Sequence, residues 1–299
     1  MSVSPSVTPP VPARATNIMA ALFWMVMALA SFTMVAVAGR TAGRDIDTAH
    51  LIFFRSAIAL GMVTLLIFFS VQGMRQIRTQ RIGLHATRNV IHFIAQYCWL
   101  SSLMLIPLAQ LISIEFTAPL WVAVLAPLLL GEKLTVTRII AAVIGFAGIV
   151  IIVQPGAVPM SAGTVFAMVA ALGFATSMIA TKRLVPTETV LCILFHMSWM
   201  QLVIAGVPIL HDLKAPALST FPWITAMAAA AMMAHFSLAR AFSHADAIIV
   251  APMDFLRLPL TMVVGFMLYG EPVEPVILIG AAVVVVANVI NIFGERRRS

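Results

Sequence analysis

Charged side chains are scarce in this chain. Asp, Glu, Lys and Arg make up 10% of its 299 residues, whereas a soluble domain carries about a quarter. That excludes a water-facing globular surface and leaves lipid as the solvent for most of the protein. Cysteine is almost absent, and both Cys98 and Cys192 fall inside apolar runs, which excludes a disulfide framework. Neither thiol is read as having a His or Cys neighbour at ligand spacing, so no metal site and no other cofactor is expected. There is no Gly-rich phosphate loop of the G-x-x-x-x-G-K-[ST] kind, which excludes direct ATP drive. There is also no H-E-x-x-H, G-x-S-x-G or paired-aspartate motif, so a polytopic acyltransferase or intramembrane protease has nothing to work with. A channel fits poorly for want of charged rings or filter loops.

Apolar residues fill the space: 62% of the chain is hydrophobic, and the mean hydropathy is +1.05. About 20 such residues cross a bilayer as a helix. The pattern predicts an all-α membrane protein with ten transmembrane helices, at about 17–38, 50–72, 86–106, 108–130, 138–154, 162–182, 188–210, 222–243, 246–269 and 276–293. The runs are continuously apolar rather than alternating, unlike the strands of an outer-membrane barrel. Turn chemistry at Gly73, Pro107, Gly131, Pro155-Gly156, Pro186, Pro216, Gly270 and Pro272 separates them. Residues 1–16 are rich in Pro, Ser and Thr and read as a disordered cytoplasmic segment. The run from Ile18 is too long for a signal-peptide core and reads as a retained first helix. Residues 294–299 form a basic tail.

The net charge of +7 resides largely in short loops beside apolar runs. Such charge suits an anionic cytoplasmic leaflet rather than nucleic acid. With the N-terminus inside, Arg75, Arg78, Arg81, Lys133, Arg138, Lys182, Arg183 and the terminal arginines are cytoplasmic, against Arg40, Arg44 and Lys214 outside. Both termini are therefore expected in the cytoplasm of a bacterial cell, with the chain in its inner membrane. The partners expected are the bilayer and a small-molecule substrate, not nucleic acid; a homodimer is left open.

One stretch occurs twice. Leu111–Glu132, LISIEFTAPLWVAVLAPLLLGE, is echoed by Val250–Glu271, VAPMDFLRLPLTMVVGFMLYGE. Superimposing Gly131-Glu132 on Gly270-Glu271 places Glu115 on Asp254 and Phe116 on Phe255, while Pro119 and Pro259 miss by one place. The halves are 17–154 and 162–293, joined by PGAVPMS. Five helices in each is an odd number, so like halves must lie in opposite orientations. Inverted repeats of this kind belong to secondary transporters, with a substrate site near the midplane.

Charged residues inside such helices face a cavity or a partner. Glu115 has no cation in its own helix and is the proton-coupling candidate. Asp254 reads either as a second binding carboxylate or as a fixed pair with Arg257, three residues on. On the third helix Arg88, His92, Gln96 and Trp99 form one stripe, flanked by Asn89 and Tyr97. A polar and aromatic stripe suits a wet cavity, with interhelical bonding as the alternative. His235 occupies the place of Gln96 in the second half. His196 and Trp199 do similar duty on the seventh helix. Arg55 reads as snorkelling toward the outer surface. Glu132 and Glu271 read as structural helix ends. The fifth and tenth helices, with Ala141, Gly145, Gly148, Gly280 and Ala281, read as closely packed scaffold.

Phe54-Arg55, Ala118-Pro119-Leu120, the two Gly-Glu pairs and the stretch ARAFSHADAIIVAPMDFLRLPLTMVVGFMLYGE resemble the EamA family of the drug/metabolite transporter superfamily, over about residues 17–293. The resemblance implies ten helices around a cavity walled by the third, fourth, eighth and ninth. Members move amino acids, nucleoside-like molecules, vitamins such as riboflavin, S-adenosylmethionine and drugs. Together with the stripe, this leads to an expected non-enzymatic transporter working by alternating access. The leading expectation is uptake of a planar or amphipathic solute such as riboflavin or a nucleoside-like compound. The alternatives are an exporter of amino acids or drugs, or S-adenosylmethionine-type uptake. The candidate cavity residues are His92, Gln96, Tyr97, Trp99, Glu115, His235, Asp254 and Arg257.

Overall fold

A computed structural model describes residues 17–131, 135–155, 160–245, 250 and 253–296. Within them the helices are α1 (Ile18–Ala42), α2 (Thr48–Phe69), α3 (Ile82–Leu105), α4 (Leu108–Glu115), α5 (Ala118–Leu130) and α6 (Val136–Val153). After these come α7 (Ala162–Leu184), α8 (Val190–Ile209), α9 (Phe221–His244), α10 (Arg257–Tyr269) and α11 (Pro275–Arg296). A 3-10 turn, Gly73–Ile77, links α2 to α3. Eight helical segments are long and apolar enough to cross a membrane, with Leu108–Leu130 taken as one; Arg257–Tyr269 is a shorter apolar helix. The expected disordered segment 1–16 and basic tail end 297–299 lie outside the described residues. So do Glu132, most of the linker between the halves and most of the predicted ninth helix before Met253.

Polar side chains set the helix starts. Asn17, Asp47, Thr135, Ser161 and Thr189 each accept from a backbone N–H of the first turn that follows. Gly131 and Gly270 close α5 and α10 at φ +69° and +63°, a left-handed conformation that glycine adopts without Cβ strain. The duplicated Gly-Glu pair is thus a duplicated helix stop.

The predicted fourth helix is not continuous. It breaks between Glu115 and Ala118, because Pro119 has no N–H to give the Glu115 carbonyl and its ring crowds it. Asn288 on α11 donates from Nδ2 to the freed Phe116 carbonyl at 2.9 Å, so the break carries its own polar partner. In the second half the chain likewise turns at Phe255–Leu256, shortly before Pro259. The helix α3 starts a turn earlier than expected, at Ile82 rather than 86, which draws His85 into it.

In the packing, α1 lies along α9, α3 along α7, α2 along α8 and α6 along α11, while α4 meets α10. Gly148 and Gly280 let α6 and α11 touch: a Cβ on Gly148 would lie 2.9 Å from the Gly280 carbonyl oxygen. The main core gathers Leu100, Leu103, Leu108, Leu111, Ile112 and Ile114 from α3 and α4 with Leu51 and Ile52 of α2. The α4 part of the first broken segment is thus buried in this core and meets α10.

Candidate functional site

Three charged groups meet at the two breaks. Arg257, at the start of α10, reaches Glu115 at 3.0 Å and Asp254 at 3.4 Å. Glu115 also accepts the Trp99 indole N–H at 2.7 Å. The Arg257 guanidinium lies over the rings of Phe32 and Phe116, each at 4.8 Å, a cation–π sandwich. Phe116 and Phe255 meet edge to face at 5.3 Å. The sequence offered Asp254 as the partner of Arg257; the shorter contact is with Glu115 of the other half. Two carboxylates against one guanidinium leave one excess negative charge, and Asp254 Oδ1 has no hydrogen-bond partner within the protein.

A second cluster has the opposite sign. Arg55 on α2 donates to Gln96 Oε1 on α3 and Gln201 Oε1 on α8, both at 2.9 Å. This corrects the snorkelling expectation: Arg55 is 9% exposed and its head points inward. Arg55 Nε, Gln96 Nε2 and Gln201 Nε2 are buried donors without a partner. Arg88, on the same face of α3, donates to Thr181 Oγ1 and Asn89 Oδ1 at 2.9 Å each. Among the described residues neither arginine pairs with a carboxylate. His92, which lies 3.3 Å from Ser177 Oγ, and His235, edge-on to Phe32, are both within electrostatic reach of Arg55 and Arg88. His92 is half-buried and His235 keeps a large accessible surface.

The stripe on α3 joins the two clusters. Gln96 holds Arg55, and Trp99 one turn further holds Glu115. Three residues of helix rise by about 4.5 Å, so the basic and acidic groups are neighbours along one helix face. Tyr97 is 39% exposed, and its ring contact is with Phe93 rather than with these groups. Sequence reasoning missed Gln201 and Phe32. Gln201 was legible as an amide inside an apolar helix, whereas nothing distinguished Phe32 from the other aromatic residues. A separate cavity of about 280 Å³ between α5, α6, α7 and α11 is lined by Pro119, Val122, Met178, Ile179 and Asn291 among others. It includes none of the paired charges just described.

Where α3 and α8 begin, Cys192, His196 and His85 stand within 4.8 Å of one another by their ligand-type atoms. The expectation that no ligand neighbours either thiol needs correction, since Cys192 and His196 are four apart on one helix face. Cys98 and Cys192 are free and buried. Glu188, in the connection before α8, accepts from the Cys192 thiol at 3.1 Å and the Thr79 hydroxyl at 2.6 Å. Burial alone would push its carboxyl up, but these bonds and the nearby His85 and His196 rings hold it below the usual range. At the opposite end, Glu271 pairs with Arg40 and accepts from the Leu108 N–H at 2.9 Å, as a structural clasp.

Residues 19–154 match the EamA-like transporter family. The chain is 24% identical to the S-adenosylmethionine uptake transporter of Rickettsia bellii (strain RML369-C), over 92% of this chain and 94% of that one. It is 28% identical to the riboflavin transporter of Vibrio cholerae serotype O1, over 88% and 90%. A solved crystal structure superimposes with a TM-score of 0.62 over 94% of this chain and 99% of that one, at 16% identity; it speaks for the fold alone.

Proposed function

We propose that this chain, a multi-pass membrane transporter of the EamA type and not an enzyme, takes up a small zwitterionic metabolite by alternating access. The observation that carries the substrate class is the set of three orphan donors, Arg55 Nε, Gln96 Nε2 and Gln201 Nε2, around one buried guanidinium. A buried unpaired cation costs several kcal/mol, and unpaired amide donors add to that. A substrate carboxylate accepts from such donors and neutralises the charge. One turn along α3, the surplus negative charge of Glu115 and Asp254 suits an ammonium or sulfonium group. Trp99, Phe32 and His235 supply faces on which a planar ring stacks.

S-adenosylmethionine has all three features: a carboxylate, cationic centres and a purine. It now ranks above riboflavin, the leading sequence expectation, whose flavin and ribityl groups bring no carboxylate to Arg55. The aromatic lining and the Vibrio cholerae relative keep riboflavin as the second reading. Two inverted five-helix halves, 17–154 and 162–293, with both termini cytoplasmic in a bacterial inner membrane, complete the proposal. The loop distribution of Lys and Arg supports that orientation.

The test is uptake of labelled S-adenosylmethionine, riboflavin and adenosine into proteoliposomes. We expect saturable S-adenosylmethionine uptake, reduced at least tenfold by Arg55→Gln and unaffected by excess riboflavin. Riboflavin uptake that survives Arg55→Gln, with no S-adenosylmethionine movement, contradicts the proposed substrate.

A further inference from the structure

His85 has no exposed surface, yet neither of its ring nitrogens has a hydrogen-bond partner. A buried imidazole always carries at least one N–H or lone pair that wants a partner, and leaving it unmet costs about 1–3 kcal/mol. What surrounds His85 is not apolar packing. The His196 ring stands 4.5 Å away by centroids, Glu188 Oε1 lies 4.0 Å from Nε2, and Cys192 is in the same group. Each of these side chains ligates metals in other proteins.

The neighbours are already oriented. Trp199 Nε1 is a donor only, so His196 Nδ1, 2.9 Å away, must be the lone-pair nitrogen. Its Nε2 then carries the proton and donates to the Ile77 carbonyl at 3.0 Å. A backbone carbonyl on the far nitrogen is the usual support of a ligating imidazole. Cys192 Sγ aims at Glu188 Oε2 at 3.1 Å, and Glu188 is held from its other side by Thr79. The arrangement comes from three separate parts of the chain: the start of α3, the 73–79 turn region and the start of α8.

The geometry points to a transition-metal site formed by His85, Cys192, His196 and Glu188, for a divalent ion of the Zn²⁺ class. One thiolate, two imidazoles and one carboxylate form a borderline donor set, which such an ion accepts in tetrahedral geometry. Ligand atoms of a tetrahedral Zn²⁺ site lie about 3.3–3.8 Å apart. His85, Cys192 and His196, within 4.8 Å of one another, close by up to about 1–1.5 Å, and Glu188, next to His85 and Cys192, turns in as the fourth ligand. On binding, the thiol proton leaves by way of Glu188 to water, the sulfur binds as thiolate, and the Trp199 indole gives up Nδ1 to the ion. The ion would tie α3 of the first half to α8 of the second. This site adjoins the Arg88 end of the basic cluster through Asn89, which donates to the His196 carbonyl. It shares no ligand with the Arg55 or Arg257 groups and does not depend on the substrate reading.

Co²⁺ titration of the purified full-length protein in detergent tests it, because tetrahedral Co²⁺ bound to thiolate gives a charge-transfer band and intense visible bands. We expect one Co²⁺ per chain with the thiolate band, displaced by Zn²⁺. The band should vanish in Cys192→Ser, stay in Cys98→Ser, and need at least tenfold more Co²⁺ in His85→Asn. Zn²⁺ should also raise the melting temperature of the wild type but not of His85→Asn, which keeps the test decisive if Cys192→Ser fails to fold. A wild type with no thiolate band, or substitutions at 85 and 192 that bind as the wild type does, overturns the site.

Discussion

Arg257 has two carboxylates in reach, and the distances rank them: Glu115 at 3.0 Å, then Asp254 at 3.4 Å. Asp254→Asn leaves the closer pair intact, so folded abundance should stay near wild type. Arg257→Gln leaves two carboxylates facing each other. Breaking a fully buried pair costs about 3–5 kcal/mol, and the cost here is smaller because Glu115 keeps 17% of its side chain accessible. Thermal unfolding in detergent should therefore order the variants with Arg257→Gln lowest; equal melting points for both would refute the ranking. Glu115→Gln mimics the protonated acid and loosens Arg257 without emptying the site. Substrate exchange should continue at a raised KM, because the surplus negative charge is gone, while accumulation driven by a pH gradient is lost; full gradient-driven uptake would remove Glu115 as the coupling group. The sequence marked Glu115 and Asp254 as costly acids in apolar surroundings, but it could not assign the cation. Spacing of three favoured Asp254, whereas the nearer partner is set by how two distant helices cross. Arg55 was misread for the same reason: depth in its own helix says nothing about amides waiting on α3 and α8.

Helix ends were the most legible elements, because a cap or a stop is local chemistry. Gly131 and Gly270 stand where turn preferences put them, and the N-caps Ser161 and Thr189 lie within two residues of the expected starts at 162 and 188. The breaks before Pro119 and Pro259 were also within reach, since a helix proline disrupts the turn four residues back. A long apolar run argued the other way and prevailed in the reading. Close packing of α6 on α11 gives a clean contrast at this scale. A Cβ on Gly148 would meet Val284 at 2.8 Å and Gly280 backbone at 2.9 Å, while one on Gly61 of α2 meets nothing within 4 Å. Gly61→Ala should be neutral or slightly stabilising, by up to about 1 kcal/mol from helix propensity. Gly148→Val forces the two backbones apart and should sharply lower folded yield by size-exclusion chromatography. A Gly148→Val protein as abundant and monodisperse as Gly61→Ala would contradict the close crossing.

Exchanging residues 17–154 with 162–293 preserves the main helix pairings among the described residues. The contact of α1 with α9 becomes that of α7 with α3, and α2 with α8 and α6 with α11 each map onto themselves. Phe116 and Phe255, paired by the sequence duplication, touch each other at 5.3 Å, as equivalent residues do beside a two-fold axis. These relations support inverted halves, and with them a central site reached from one side at a time. The duplication raised the inverted-repeat expectation from the sequence; the charge division between a basic and an acidic end of the site was not legible there, because it depends on which side chains the fold leaves without partners. A cysteine at His235, an exposed residue of α9 beside Phe32, reports on access most directly. With the two native thiols measured in parallel, the account predicts that a membrane-impermeant thiol reagent modifies His235→Cys from one side of the membrane in the resting protein. Zwitterionic substrate should slow that reaction and expose the residue from the other side during transport. Simultaneous labelling from both sides, or reactivity indifferent to substrate, would contradict a central site with alternating access.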